Sequence, residues 1–434
     1  MKIKVSDIKT SERYRKDLGN VEELARSISE DGLISPIAVR TSPDGGYELL
    51  AGERRLTAIK QLGWEEVEVR FYEGELNDLK CRQIELEENI NRKDMTWQEE
   101  AFLKREIHNL RLAIHGEKSR NPGSSEAEGW SLRDTAKLMN VSTPTITNDI
   151  KLAEAIEQFP DYDWEKCKNR SDAQKHLKKI TKTLTHHHAA SEFEKTKKNK
   201  TKFLNDLANS YIMGDFFEKI KLIPDGTADW VEVDPPYAID LKQTKRGFEE
   251  RYASYNEIDK NTYPSFIEAT LQECWRVMKP NGWLVFWFGP EPWFDYIAQT
   301  IRRTGFHLFA IPGIWTKSHG QTMQPNTRLA NCYEMFFYAH KGQGVLNKPG
   351  RSNIFDFPAL NESKKIHPTE RPMLLMQEII ETFSEPNSQG IVPFLGSGTT
   401  ILAASETGRH CFGYDNDENN RNAYLARINE LYGE

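Results

Sequence analysis

The C-terminal half of this chain is predicted to be an α/β fold, a parallel sheet covered by helices. A small α+β unit and a helical helix-turn-helix unit are expected to precede it. Three observations carry that prediction. From about Asn205 onward, helix-like and strand-like patterns alternate. The short runs Trp230-Val231-Glu232-Val233 and Trp283 to Phe288 read as buried strands. Upstream, two amphipathic segments flank the tight turn Asn140-Val141-Ser142-Thr143-Pro144.

The first ~110 residues read as the α+β unit. Val21 to Ser29 places Leu24, Ala25 and Ile28 at helical spacing, and Asp31-Gly32 ends that helix. Ile37 to Val39 and Tyr47 to Leu50 are strands around the turn Pro43-Asp44-Gly45-Gly46, and Gly52 opens a helix over Glu53 to Leu62. His115 to Gly129 is polar and turn-rich, an expected exposed loop. In the helix-turn-helix, Leu132, Ala136 and Leu138 form one face, and Ile146, Ile150 and Ala153 another. Asn140 suits a left-handed turn position, and Thr143 is the expected N-cap with Pro144 at the first helical position. On the second helix Thr145, Asn148 and Lys151 share the side opposite Ile146 and Ile150, the expected DNA-facing side. Glu165 to Phe203 then holds twelve Lys or Arg against four Asp or Glu, which suits a solvated basic linker or a phosphate-tracking segment. His186-His187-His188 within it project in different directions on a helix, so no metal site is expected there.

In the C-terminal half, Tyr263 to Met278 reads as a helix stopped by Lys279-Pro280-Asn281-Gly282, and Met373 to Phe383 as another. Phe306 to Trp315 and Tyr333 to Ala339 are strand candidates. The expected units are residues 1–114, 115–160, 161–204 and 205–434.

Composition narrows the function classes. The net charge of −7 rules out a global basic field, so any nucleic-acid contact must be local. Five scattered cysteines are expected to be reduced and mostly buried, with no zinc spacing among them. No secretory signal begins the chain and the longest apolar run is far too short for a bilayer, so a cytoplasmic location is expected.

Two segments carry chemistry. Asp234-Pro235-Pro236-Tyr237 stands at the end of a strand. A carboxylate, a rigid carbonyl from a residue with no N–H, and an aromatic ring suit gripping a flat base and its exocyclic amine. Gly396-Ser397-Gly398 follows the apolar Ile391-Val392 and opens a helix over Thr399 to Glu406, a turn that lets a ligand approach the backbone. Seventeen residues past Gly398 stands Asp415, a spacing suited to ribose hydroxyls.

Together these segments resemble the S-adenosylmethionine-dependent DNA amino-methyltransferases, and the order of the two motifs resembles their permuted β group. Gly214-Asp215, Arg276 to Gly282, Trp315-Thr316-Lys317 and His367-Pro368-Thr369-Glu370-Arg371-Pro372 extend the likeness. The resemblance implies a Rossmann-like methyltransferase sheet with helices on both faces, acting on double-stranded DNA. It places catalysis on Asp234, Pro235, Pro236 and Tyr237, with Tyr237 stacking on a flipped base. It places S-adenosylmethionine on Asp215, Thr369, Phe394, Gly396, Ser397, Gly398, Thr399 and Asp415, and needs no metal. An initial Asp resembles adenine-N6 enzymes more than cytosine-N4 enzymes, which remain the alternative. Val392 stands where the family usually has Asp, so a binding protein with an inactive domain is a competing reading. The interval from Glu334 to His367 is short for target recognition, which shifts that task to the N-terminal half.

That half resembles the ParB-like partition-protein fold through Gly52-Glu53-Arg54-Arg55 and Glu88-Asn89-Ile90-Asn91-Arg92, over about residues 3 to 160. The resemblance implies cytidine triphosphate with magnesium at Arg54, Arg55, Glu88, Asn89 and Arg92, although Thr57 replaces an arginine common in nucleotide-binding members. A homodimer is the expected assembly. The related sulfiredoxin activity is rejected, because no cysteine lies near Gly52.

Overall fold

In this computed structural model the described residues are 1–10, 20–42, 45–72, 95–118, 129–238, 258–309, 311–322, 326–361, 365, 367 and 369–433. They fall into two units, residues 1–178 and 179–434.

In the first unit, short apolar segments, alternating in β1 and β5 and continuous in β3 and β4, build five strands, β1 (Lys2–Lys4), β2 (Ile8–Lys9), β3 (Ile37–Thr41), β4 (Tyr47–Ala51) and β5 (Glu66–Tyr72), in the order β1-β5-β3-β4-β2. Ile37, Val39, Leu49 and Val67 meet Leu56 and Ile59 of the second helix in the core. Helix α1 (Val21–Asp31) begins where the Asn20 side chain accepts from the Glu23 N–H, and ends at Gly32 with φ 76°. Helix α2 (Glu53–Gln61) follows Gly52, as expected. Helix α3 (Trp97–His115) starts in a reciprocal capping box between Thr96 and Glu99. Helices α4 (Leu132–Leu138) and α5 (Thr143–Gln158) are the expected helix-turn-helix, with Asn140 at φ 52° in the turn.

Two details of that motif differ from expectation. Ser142, not Thr143, caps α5, because its hydroxyl reaches the Thr145 N–H, and Pro144 takes the second helical position. Leu138 is exposed, while Ala136, Ile146 and Ile150 form the contact.

The basic stretch is largely helical, as α6 (Arg170–Thr196) and the start of α7 (Lys202–Ser210). Its buried residues Ala173, Ile180, Ala190 and Phe193 lie seven, ten and three positions apart, too irregularly for a clear helical period to read from the sequence.

The second unit is a mixed sheet of nine strands. Five are parallel neighbours: β6 (Tyr211–Met213), β14 (His410–Asp415), β13 (Gln389–Val392), β7 (Ala228–Val233) and β8 (Met278–Phe288). Antiparallel β11 (Asn331–His340) follows β8, and β10 (Gly313–Gln321) and β12 (Ile354–Asp356) complete the path, with short β9 (His307–Leu308) pairing β11. The single strand expected over Phe306 to Trp315 is therefore two, β9 and β10. One apolar layer includes Trp230, Trp287, Ile379 and Leu402, and the other Val231, Val233, Ile267 and Phe286. Helices α8 (Phe216–Lys219), α9 (Tyr263–Val277), α10 (Pro290–Thr304), α11 (Met373–Phe383), α12 (Thr399–Glu406) and α13 (Glu418–Tyr432) supply the rest of those layers. No helix among the described residues is long and apolar enough to cross a membrane. Of the described cysteines, Cys274 and Cys411 are buried, Cys167 is half-buried and Cys332 is exposed, all free.

Candidate active site

At the centre of the sheet β13 pairs with β7, Gly390 opposite Trp230 and Ile391 opposite Val231. The approach is close enough that a Cβ on Gly390 would lie 2.1 Å from the Trp230 ring. From these two strands the order runs outward both ways, to β8 on one side and to β14 and β6 on the other. A reversal of this kind leaves a crevice at the carboxyl ends of the strands, where α/β folds hold ligands. The Asp234 motif leaves one of these ends and the glycine turn leaves the other.

On the first side, Asp234 is half-buried and Pro235 buried. The Tyr237 hydroxyl donates to Asp234 Oδ1 at 2.8 Å. Burial, then the Asp234 charge, push the Tyr237 phenol well above its usual range. Arg371 donates through Nη1 to Asp234 Oδ2 and through Nη2 to Oδ1 at 3.1 Å. The same Nη2 lies 3.0 Å from the Tyr237 hydroxyl and 3.1 Å from Glu334 Oε2. Lys317 closes the chain on Glu334 Oε1 at 2.5 Å. The Arg371 guanidinium stacks on the Trp287 ring, 3.7 Å from its centroid. Glu232, two residues before Asp234 on the same strand, accepts from Thr400 at 3.1 Å, and burial pushes its carboxyl up to about 7.

On the other side, Gly396 and Gly398 have φ 55° and 72°, and a Cβ on Gly398 would lie 2.3 Å from the Tyr424 ring. The Gly396 N–H donates to Asp415 Oδ2 at 2.7 Å, and the Asp417 N–H to Oδ1 at 2.8 Å. Burial pushes the Asp415 carboxyl up to about 6. Ser397 and Thr399 share a hydrogen bond of 2.8 Å, and Arg427 bridges Thr399 and buried Glu370. Phe394 packs on Phe216 and Phe266, with ring centroids 5.6 and 5.3 Å away. Thr369 bonds to His367 at 3.1 Å, beside Gly396, and burial holds the His367 imidazole below its usual range. Asp215 is exposed at the end of β6, where it caps α8. Val392 is a core residue, 1% exposed.

The catalytic and cofactor residues expected from the sequence therefore gather along the carboxyl edge of one sheet. Arg371, Glu334 and Glu232 were not among them. Glu232 had a readable signal, one acid inside an apolar strand and in phase with Asp234. Glu334 had none, and Arg371, though part of the familial segment His367 to Pro372, gave no sign of its partners, since they meet only through the fold.

In the first unit, Asn148 and Lys151 are exposed on α5, while the Thr145 hydroxyl is 2.8 Å from the capping Ser142 hydroxyl. Asp149, on the inner side, pairs with Lys104 at 2.6 Å and Arg170 at 2.9 Å. Arg54 donates to the Asn20 carbonyl, and Arg55 to those of Ser35 and Pro36. Glu88, Asn89 and Arg92 lie outside the described residues. No group of three or more metal-ligating side chains occurs among the described residues.

The family described as DNA methylase matches residues 228–425, which span both sides of this crevice. These residues form an N6/N4-type DNA methylase domain. The ParB N-terminal domain matches residues 1–90, so the methylase domain follows a ParB-like domain in one chain. The type II methyltransferase M.HinfI of Haemophilus influenzae is 28% identical over 262 residues, 52% of this chain and 70% of that protein. A nucleoid occlusion protein of Geobacillus is 41% identical over 97 residues, 22% of this chain and 34% of its own length. Among solved structures, the M1.HpyAVI-SAM complex covers 50% of this chain and 98% of its own, at 23% identity and a TM-score of 0.40.

Proposed function

We propose that the methylase domain transfers a methyl group from S-adenosylmethionine to the N6 amine of adenine in double-stranded DNA, and that the N-terminal half delivers it there. The observation that carries this reading is the placement of Asp234 and the glycine turn on adjoining parallel strand ends. The residues present fit the cofactor. The turn brings backbone close to the crevice, and a carboxylate stands at the end of the next strand. S-adenosylmethionine supplies an electrophilic methyl on a sulfonium.

The rest is the work of the chain. The amine of adenine is a weak nucleophile because its lone pair is delocalised into the ring. Asp234 accepts one N–H and the Pro235 carbonyl the other, turning the lone pair out of conjugation. Proline offers no N–H to compete for that contact. Gly396, Gly398 and Asp415 hold the cofactor's adenosine part, with Phe394 against it. The Asp at the head of the motif favours adenine over cytosine N4. Asn148 and Lys151 face DNA, one toward a base edge and the other toward a phosphate.

Asp234→Ala is expected to lower methyl transfer by at least ~10²-fold in a radiolabelled assay, with cofactor affinity retained. Wild-type turnover in that variant would remove Asp234 from the chemistry. Sequencing of the methylated product separates adenine from cytosine. For the ParB-like domain the reading retains cytidine triphosphate with magnesium at Arg54 and Arg55, tested by calorimetry on wild type and Arg55→Ala. Sedimentation tests the homodimer, and fractionation the cytoplasmic location.

A further inference from the structure

Asp234 is expected to receive a base amine, yet its carboxylate is engaged on both oxygens. Arg371 donates to each, and Tyr237 adds a third donor. A carboxylate offers about four acceptor positions, so the incoming amine meets a nearly filled group whose charge faces a guanidinium. Arg371 is itself 6% exposed and cannot be drawn off into water. It has another anion within reach. Its Nη2 already lies 3.1 Å from Glu334 as well as 3.1 Å from Asp234, so one nitrogen with two protons serves two carboxylates and the Tyr237 hydroxyl. Stacking on Trp287 holds the guanidinium plane while leaving its edge free to favour either side. Glu334 is fixed by Lys317, which rests over Trp315 at 4.7 Å on the strand paired with β11. The Arg371 Nε is buried without a hydrogen-bond partner among the described residues, which marks the present arrangement as incompletely satisfied.

We propose that Arg371 is a positioning residue handed between two carboxylates, on Asp234 when the base pocket is empty and on Glu334 when an amine arrives. The inference rests on the methyl-transfer reading above. Without a base, Arg371 keeps Asp234 paired and oriented. When the amine N–H groups take over the acceptor positions of Asp234, Glu334 receives the displaced guanidinium, so no buried cation is stranded. No covalent step is involved; donors are exchanged between acceptors.

The full-length protein tests this in a double-mutant cycle with Glu334→Gln and Arg371→Met, read by methyl transfer to duplex DNA and by the fluorescence of 2-aminopurine at the target position. Glu334→Gln removes the charge that draws Arg371 away. It is expected to lower kcat about 10-fold and to reduce the base-flipping signal, with cofactor KM unchanged. In the Arg371→Met background the same substitution is expected to cost less than about 2-fold, because no cation then waits for a partner. Arg371→Lys keeps the charge and is expected to retain the Glu334 dependence. A purely structural role predicts the same loss from Glu334→Gln in both backgrounds, and that result overturns the handover. So does a Glu334→Gln variant with wild-type kcat. A wild-type chain that binds no S-adenosylmethionine and transfers no methyl overturns the methyl-transfer reading, and the handover with it.

Discussion

Two aspartates stand at strand ends on either side of the reversal in the sheet, and they are held in different ways. Asp415 is bound most closely by the backbone N–H groups of Gly396 and Asp417, donors that have no rotamer to change, with the Asn420 amide donating at a longer 3.3 Å. Asp234 is bound by the side chains of Arg371 and Tyr237, donors that can turn to other partners. The Asp415 arrangement fixes a turn, and burial still raises its carboxyl to about 6, because three neutral amide donors offset less than a full countercharge would. On the proposed reading, the Asp234 arrangement keeps its carboxylate paired without making the pairing permanent. One carboxylate builds the site, and the other is kept available within it.

The severest challenge to this comparison is a third carboxylate on the glycine side. Val392 is buried in the core at the end of β13. Val392→Asp is expected to destabilise the fold by ~3–5 kcal/mol, the scale for an uncompensated buried charge. Urea unfolding measures it; a neutral or stabilising result would show a donor at that strand end that the comparison does not contain.

A somewhat smaller effect is expected at Glu232. Its folded carboxyl titrates near 7, above the usual ~4.3 of an unfolded glutamate. The folded state thus holds a proton that the unfolded chain has lost, and the resulting stability is complete below about pH 4 and gone above about pH 7. Glu232→Gln should remove that slope and gain up to ~3 kcal/mol on wild type at pH 8, read as Tm across pH. A parallel pair of Tm curves would rule out the buried acid.

Asp415→Ala sharpens the contrast itself. It strands two backbone N–H groups, so cofactor binding is expected to weaken by ~1–3 kcal/mol in calorimetry, while Asp234→Ala leaves it intact. Equal losses from the two would dissolve the distinction. Lys151→Ala, remote in sequence from both aspartates, is the smallest change. It should weaken binding to all DNA sequences alike and reduce the salt slope by about one, with cofactor affinity unmoved.

The strand ends and the glycine turn of this site are legible in the sequence. Asp234 and Asp415 lie at strand ends because apolar runs stop there, and Gly396 and Gly398 form a turn at positive φ that glycine adopts without strain. Those signals are local. Arg371 meets Asp234 across 137 positions of sequence and Glu334 across 37, so their partnership exists only once β7, β11 and the segment before α11 have been brought together. The cap of α5 shows the opposite limit: Ser142 and Thr143 are chemically equivalent caps, and only the register of the turn selects the first. In α6 the buried residues fall at irregular intervals, so no single stretch of the sequence shows a clean helical period.

The buried Asp149 gives helix α5 a particular kind of anchor. Lys104 of α3 and Arg170 of α6 grip its inner side through a group that has no freedom to slide, whereas apolar side chains tolerate small shifts in register. The outer residues Asn148 and Lys151 contribute nothing to that grip. Substitutions at Asn148 and Lys151 on the outer face can therefore change what the helix presents without loosening the grip that sets its pose.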